Sequence, residues 1–513
     1  MQNKKLQTII FIFLSIFLIF LVYFGLFKYL YIYPAGGDSA YHVTLVDHIL
    51  ENNNPKPEYT QGMHILLSML ALIINTDAIS IVLYFAPFLL ILCFLSVFVL
   101  VRYIFGFKTA VLAVIISALI SLHPYWIWSD GTFADMISAE FLMFVFFYSF
   151  LRLINSGKLK YCFLSAIIFI SLHIFHLLSF LYALSILGLF TIIFIIYHIV
   201  KKRKSRFLKN IVIFYLLIII FAIIPAWFWY LGDYFVPILF STLKSTLAVE
   251  EISSNGQIQG INIQHVPSFK EIQIMIGYSP LLLALLSLFF IPKFVVKKPI
   301  IFLFCLSWFV VFLLGSTTRL SPDPIRVIRE FALLINIFAA FFIISLIKYF
   351  KQNKLLQATS IIIVSIFLFI NFPRGMDRYL VYKSQLLYED NKTVEWIKYN
   401  IPARSIILLG PSMGEETRKG PFDLLLKDKK FISIDVNNPI VENPASITSK
   451  MYLQKNNIDY IYYRNAPIGW FPHEYNNNFG DAFNLLEYTE KIYDIEGGGI
   501  KTNVYKVKKE LLF

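Results

Sequence analysis

The chain has 513 residues, 58% of them hydrophobic and only 15% charged, with 52 phenylalanines and a mean hydropathy of +0.68. Soluble domains run at about 45–50% apolar, so most of the membrane-like first 370 positions cannot form a solvated globular surface and call for lipid. The net charge of +13 does not point to nucleic acid, because Lys and Arg fall in short clusters between apolar runs rather than along one basic face.

Lys4 and Lys5 precede an apolar run from Ile9 to Tyr31. It is too long for a signal-peptide core and lacks a small-residue cleavage site, so it reads as a retained first helix. A spanning helix needs roughly 20 mostly apolar residues. Candidate spans, about eleven in all, lie at 9–31, 78–104, 109–123, 135–154, 161–175, 178–199, 211–231, 277–292, 299–315, 327–347 and 355–372. The stretch 161–199, with His173 and His176 inside it, also admits one long tilted helix plus a partial one. With the amino terminus inside, nineteen basic residues fall in cytoplasmic segments, against seven outside before residue 370. The positive-inside rule selects this orientation, and an odd number of spans places everything after Phe372 outside. Cys93, Cys162 and Cys305 all lie in apolar runs, so no disulfide framework is indicated.

From residue 373 to 513 the apolar runs shorten to strand length and charges become frequent. Asp390 or Asn391 can cap a helix over TVEWIKYN that stops before Pro402. SIILLG, KFISID and DYIYY read as strands, and EKIYDI with TNVYKV as a hairpin around Gly497, Gly498 and Gly499. The expected fold is an all-α polytopic membrane domain over 1–372 followed by a small extracytoplasmic α/β domain over 373–513.

The polar residues in the outside loops are the ones that can carry chemistry. GGDSAYHVTLVDHILENN places Asp38, His42 and Asp47 on a short helix beside the first span. Asp38 is either the N-cap of that helix or a functional carboxylate, and Tyr41, Leu45 and Ile49 form an apolar stripe suited to the interface. A second short helix is expected over QGMHILLSMLALI at 61–73. The next outside loop carries Asp130, readable as a solvated loop acid, and Asp135, which with Glu140 enters the following apolar helix. An acid there is costly unless paired or facing a polar cavity. In STTRLSPDPIRVIREF, Arg319, Arg326 and Arg329 stand on the side that otherwise avoids positive charge. Their planar forks suit phosphate, with lipid headgroups, Asp323 or Glu330 as alternative partners. His173 and His176 read as packing residues near the outside end of the bundle. No Cys/His metal spacing, Walker-type loop or nucleophile elbow is present.

This layout resembles the GT-C superfamily of membrane glycosyltransferases, which includes the oligosaccharyltransferase catalytic subunit. GGDSAYHVTLVDHIL and YTQGMHILLSML resemble its first outside loop, DGTFADM its second acidic motif, and SLHIFHLLS its His-containing turn. IRVIREFALLINIFAAF is similar to its Arg-Phe helix, and NKTVEWIKYNIPARSIILLG with NNIDYIYYR to its outside domain. Where an oligosaccharyltransferase would have a WWDYG block, this chain reads GPSMGEETRKG, which puts sequon glycosylation in doubt. The resemblance implies a polyprenyl-phosphate-linked sugar donor, with Asp38 as general base or metal ligand and Asp135 as a second carboxylate that could share Mg or Mn. It further implies that Arg326 or Arg329 neutralises the leaving phosphate. His42, Asp130, His173, His176 and Arg319 would line the cavity. Competing classes are a multi-pass transporter or lipid flippase and a non-catalytic scaffold in cell-surface polymer assembly. Against a transporter, no pseudo-repeated halves are visible.

Overall fold

Inside a bilayer every backbone amide and carbonyl must be satisfied within its own segment, so apolar runs of this length form helices. The computed structural model describes residues 2–29, 39–54, 62–120, 133–201, 208–224, 257–258, 261–262, 266–318, 321, 324–369, 388–410, 422–434, 438–464, 482–497 and 500–512. Seven helices among them are long and apolar enough to cross a membrane: Lys4–Tyr23, Ala78–Ile104, Met136–Ser156, Leu177–Val200, Tyr278–Lys297, Pro299–Thr317 and Arg326–Tyr349. Shorter apolar helices at Phe107–Ile120, Leu159–Phe175, Ile211–Phe221 and Lys354–Leu368 fall on the other expected spans, and Gly62–Ile74 on the second interfacial helix.

In chain order the elements are α1 (Gln2–Tyr29), α2 (Ser39–Asn52), α3 (Gly62–Ile74), α4 (Ala78–Ile104) and α5 (Phe107–Ile115), which runs on as a π-helix over Ile116–Ile120. The next, α6, comprises Phe133–Asp135, a π-helical stretch Met136–Leu142 and Met143–Ser156. Then come α7 (Leu159–Phe175), α8 (Leu177–Val200), α9 (Leu208–Ile218), α10 (Phe269–Ile276) and α11 (Tyr278–Leu286). The membrane helices close with α12 (Pro299–Thr317), α13 (Pro324–Tyr349) and α14 (Lys354–Phe369). The alternative of one long helix over 161–199 is not what forms. His176 takes an extended conformation (φ −160°, ψ 114°) and its ring accepts from the Ser179 amide, ending α7 and capping α8.

Helices α4, α6 and α13 form the interior, whereas α1 and α11 lie on the rim. Lipid tails are as apolar as the side chains, so helix association depends on close packing rather than on the hydrophobic effect. Phenylalanine supplies much of that contact. Phe146 stacks on Phe150 at 5.7 Å, and Phe147 packs against Trp308 at 5.0 Å and Phe304 at 4.9 Å, joining α6 to α12. Gly315 allows α12 to approach α13, since a Cβ there would lie 3.1 Å from Val327.

Contacts at the two ends sort the loops. Lys298 Nζ donates to the Ile104 carbonyl at 2.6 Å, bringing the end of α4 to the start of α12 among the basic clusters. At the opposite end the Tyr23 hydroxyl donates to the Tyr84 carbonyl at 2.9 Å, and α2 and α3 cover that end of α4. The buried side of α2 holds His42, Val43, Leu45 and Val46, while Tyr41 is exposed. The expected stripe of Tyr41, Leu45 and Ile49 is thus replaced, because α2 packs on α3 and α4 instead of resting one face on lipid.

The C-terminal region folds as a mixed five-stranded sheet with flanking helices. Its strands are β1 (Ile406–Leu409), β2 (Lys430–Ser433), β3 (Tyr460–Arg464), β4 (Thr489–Gly497) and β5 (Ile500–Val507), in the order β2-β1-β3-β5-β4. The pairs β1–β2 and β1–β3 are parallel, and β3–β5 and β4–β5 antiparallel. Every expected strand forms, and β4–β5 is the expected hairpin. The preceding helix, α15 (Tyr388–Asn400), starts earlier than expected and contains Asp390 instead of being capped by it. Asp390 is fully buried, accepts from the Tyr462 hydroxyl and pairs with Arg464 at 3.0 Å. Its carboxylate is committed to β3, which overrides its capping propensity.

Candidate active site

Of the residues singled out in the sequence, Asp38, Asp130, Arg319 and Asp323 lie outside the described residues, and for Asp135 only the backbone is described. The segments that bear the two principal acids nevertheless come together. Ser39, the neighbour of Asp38, opens α2, and one turn later the buried His42 ring lies 5.7 Å from that of Phe133, two residues before Asp135. His42 Nδ1 is also 2.9 Å from His64 Nε2 on α3. One of those nitrogens must donate and the other accept, so the pair cannot persist with both rings doubly protonated. Ser68 reinforces the joint, its hydroxyl within reach of the His64 carbonyl (2.8 Å) and the Val46 carbonyl (3.3 Å).

Asp135 leads directly into the π-helical stretch Met136–Leu142. A π-helix bonds i to i+5, is rare, and is frequently found at functional sites. Side chains of α4 brace it here: Cys93 Sγ donates to the Met136 carbonyl at 3.3 Å and Ser96 Oγ to the Glu140 carbonyl at 2.8 Å. On its other flank Ser138 Oγ donates to the Leu172 carbonyl of α7 at 3.4 Å.

The arginine helix α13 enters the same region. Arg326 is half-buried, whereas Arg329 and Glu330 are buried, all within the first two turns. Deeper in, Asn336 Nδ2 donates to Ser117 Oγ at 3.3 Å, tying α13 to the other π-helical stretch. Ser321, just before α13, bonds the Tyr182 hydroxyl of α8 at 2.7 Å. His173 packs edge-on against Phe180 at 5.4 Å, and His176 Nδ1 is engaged by Ser179, 2.8 Å from its hydroxyl. His176 thus has a capping function of its own.

Among the described residues, no three His, Cys, Asp or Glu side chains are grouped as a metal would require. His42 and His64 each commit one ring nitrogen to the other. Sequence reading missed the parts played by His64, Cys93 and Ser96. His64 is the one ionisable residue in an apolar helix, which is a signal, but a partner twenty-two positions away has no spacing rule.

No protein-family model matches this sequence, and no curated protein matches it. Solved structures do. The chain is similar to the archaeal oligosaccharyltransferase AglB from Archaeoglobus fulgidus, solved with an inhibitory peptide and a dolichol-phosphate: TM-score 0.59, 12% identity, 90% of this chain and 69% of that one. It is similar to ArnT from Cupriavidus metallidurans bound to undecaprenyl phosphate, with TM-score 0.54, 10% identity, and 97% and 98% coverage. A third is the arabinofuranosyltransferase AftD from Mycobacteria, at TM-score 0.54 and 12% identity over 98% of this chain and 40% of that one. The fold is that of the GT-C glycosyltransferases, a class of integral membrane proteins. The A. fulgidus protein has also been solved with Zn and sulfate.

Proposed function

We propose that this chain is a membrane glycosyltransferase that moves a sugar from a polyprenyl-phosphate-linked donor to an acceptor on the extracytoplasmic face. The observation that carries the reading is the meeting of the two acid-bearing outer segments, His42 of α2 against Phe133 beside Asp135, within a GT-C fold. Two proteins of that fold are known in complexes with polyprenyl phosphates.

Transfer breaks the bond between the anomeric carbon and the donor phosphate and forms one to the acceptor oxygen. In this reading Asp38 takes the acceptor proton, since attack on the anomeric carbon requires that proton's removal and a carboxylate is a suitable general base. Asp135 supplies a second carboxylate. Arg326 and Arg329 hold the phosphate and stabilise the charge that grows on it as the sugar departs. In the alternative in which Asp38 is a ligand rather than the base, Asp38 and Asp135 would supply the oxygen donors for Mg or Mn, which would act as a Lewis acid. His42, buried beside Phe133, is the described histidine that this reading sets nearest the two acids.

The orientation belongs to the same proposal: N-terminus cytoplasmic, residues 1–372 in the membrane, and 373–513 outside. It is supported by the basic clusters around Lys298 at one end and by Lys427 of the sheet region bonding to Asp47 of α2 at the other.

The purified protein in lipid nanodiscs should transfer label from at least one donor in a panel of polyprenyl mono- and diphosphate sugars. The double variant Arg326→Gln/Arg329→Gln should bind that donor at least ~10-fold more weakly, as losing charge-assisted phosphate bonds implies. Unchanged donor affinity would remove the arginines from the site. Movement of the intact lipid-linked sugar across liposomes, without bond cleavage, would replace the transferase reading with a flippase.

A further inference from the structure

We propose that Lys427 is a positioning residue, through which the C-terminal sheet region fixes the placement of α2 and hence of the acid that precedes it. The inference rests on the transferase reading above. Lys427 Nζ lies 2.8 Å from Asp47 Oδ2 and 2.8 Å from Glu51 Oε1. These two acids are four residues apart on one face of α2, where like charges repel unless a cation sits between them. The hydrogen bond and charge of Lys427 hold the Glu51 carboxyl below its ordinary range, while Asp47 and Glu51 raise the lysine.

The lysine is held on a firm base. On one side Leu426 is buried and its amide bonds the Phe422 carbonyl at 2.9 Å; on the other the Lys429 side chain is buried against Asp428 at 2.7 Å. The Arg404 amide donates to the Asp428 carbonyl at 2.6 Å, so the turn is fastened to the chain entering β1. Phe422 itself packs against Phe431 of β2 and Tyr462 of β3. Helix α2 is therefore gripped twice: near its start by the His42–His64 bond to α3, and over its last two turns by Lys427. A helix of 14 residues is stiff over its roughly 21 Å, so a displacement at Asp47 and Glu51 is carried to Ser39.

Lys427→Glu sets a third negative charge against the pair, and Lys427→Met removes the cation without adding repulsion. In the full-length protein, hydrogen exchange over residues 39–52 should rise ~3-fold or more in Lys427→Glu and less in Lys427→Met, as expected for partly exposed pairs. At saturating donor the transfer rate should fall ~3- to 10-fold, with the donor KM within ~2-fold of wild type. The reversed triple variant Asp47→Lys/Glu51→Lys/Lys427→Glu should restore both readouts. Lys455→Glu, at an exposed position on the helix Ile447–Lys455, should change neither. Unchanged exchange over α2 in Lys427→Glu overturns the proposal whether or not the protein transfers sugar. Raised exchange with an unchanged transfer rate overturns the positioning role. If the wild-type protein transfers from no donor, the transferase reading fails, and exchange alone still decides whether Lys427 fixes α2.

Discussion

Three glycines differ in what a methyl group would meet, and they give a graded test of the packing that supports the site. A Cβ on Gly62 would stand 2.8 Å from both the carbonyl oxygen and Cγ2 of Ile174, and 3.0 Å from its carbonyl carbon. That carbonyl belongs to the last turn of α7 and cannot swing aside, so α3 would have to retreat by about 0.6 Å to reach ordinary contact. Overpacking of this kind costs ~1–3 kcal/mol. The helix-propensity gain of alanine, ~1 kcal/mol in a helix interior, is smaller here because Gly62 is the first residue of α3. At Gly315 the obstacle is the Val327 methyls at 3.1 and 3.3 Å, which can yield by a few tenths of an ångström, so gain and cost nearly cancel. At Gly188 nothing lies within 4 Å, and alanine should stabilise by ~0.5–1 kcal/mol. Thermal denaturation of the detergent-solubilised variants, followed by tryptophan fluorescence, should rank Gly188→Ala above wild type, Gly315→Ala near it and Gly62→Ala below. His64, two residues on in α3, is 2.9 Å from His42, so a shift of α3 acts on that contact and Gly62→Ala should also lower transfer activity. A Gly62→Ala protein as stable as Gly188→Ala would refute the close approach of α3 to α7.

Two predictions concern the C-terminal region. Asp390→Asn removes the buried carboxylate that pairs with Arg464 and should destabilise the region by ~3 kcal/mol, whereas Asp390→Leu/Arg464→Met should recover most of the loss in a melting experiment. Burial pushes the Tyr488 phenol up to about 12, and its hydroxyl donates to the Pro444 carbonyl. A raised phenol favours the folded state below its unfolded value of ~10 and loses that advantage as pH climbs through the folded value. Stability should therefore decline between pH ~10 and 12, and Tyr488→Phe should abolish that part of the decline; an unchanged alkaline profile would contradict it.

The parts legible in sequence are those set by local composition. Spans such as Ala78–Ile104 announce themselves by apolar length, and β1, β2 and β3 by short β-branched and aromatic runs between charged turns. The break at His176 was legible as the gap between the spans 161–175 and 178–199, but one continuous helix stayed open beside it, because a histidine cap has no strong sequence signature. Pairings across the fold were not legible. Asp390 carries every mark of an N-cap, yet its charge is claimed by Arg464, seventy-four positions on. The π-helical stretch after Asp135 depends on donors from Cys93 and Ser96, which by sequence are ordinary small residues in an apolar helix. His42 was read as a cavity residue from its loop, but His64, which fixes its ring, could be found only from the geometry.

The catalytic assignment of Asp38 is tested most directly by one comparison: sugar transfer from a labelled polyprenyl-phosphate donor by the purified wild-type protein and by Asp38→Asn, with melting curves for both. Asparagine is as good an N-cap as aspartate, so the substitution spares a purely structural role while removing the basic oxygen. The account predicts transfer reduced by at least ~100-fold at unchanged thermal stability. Near-normal transfer by Asp38→Asn would contradict it.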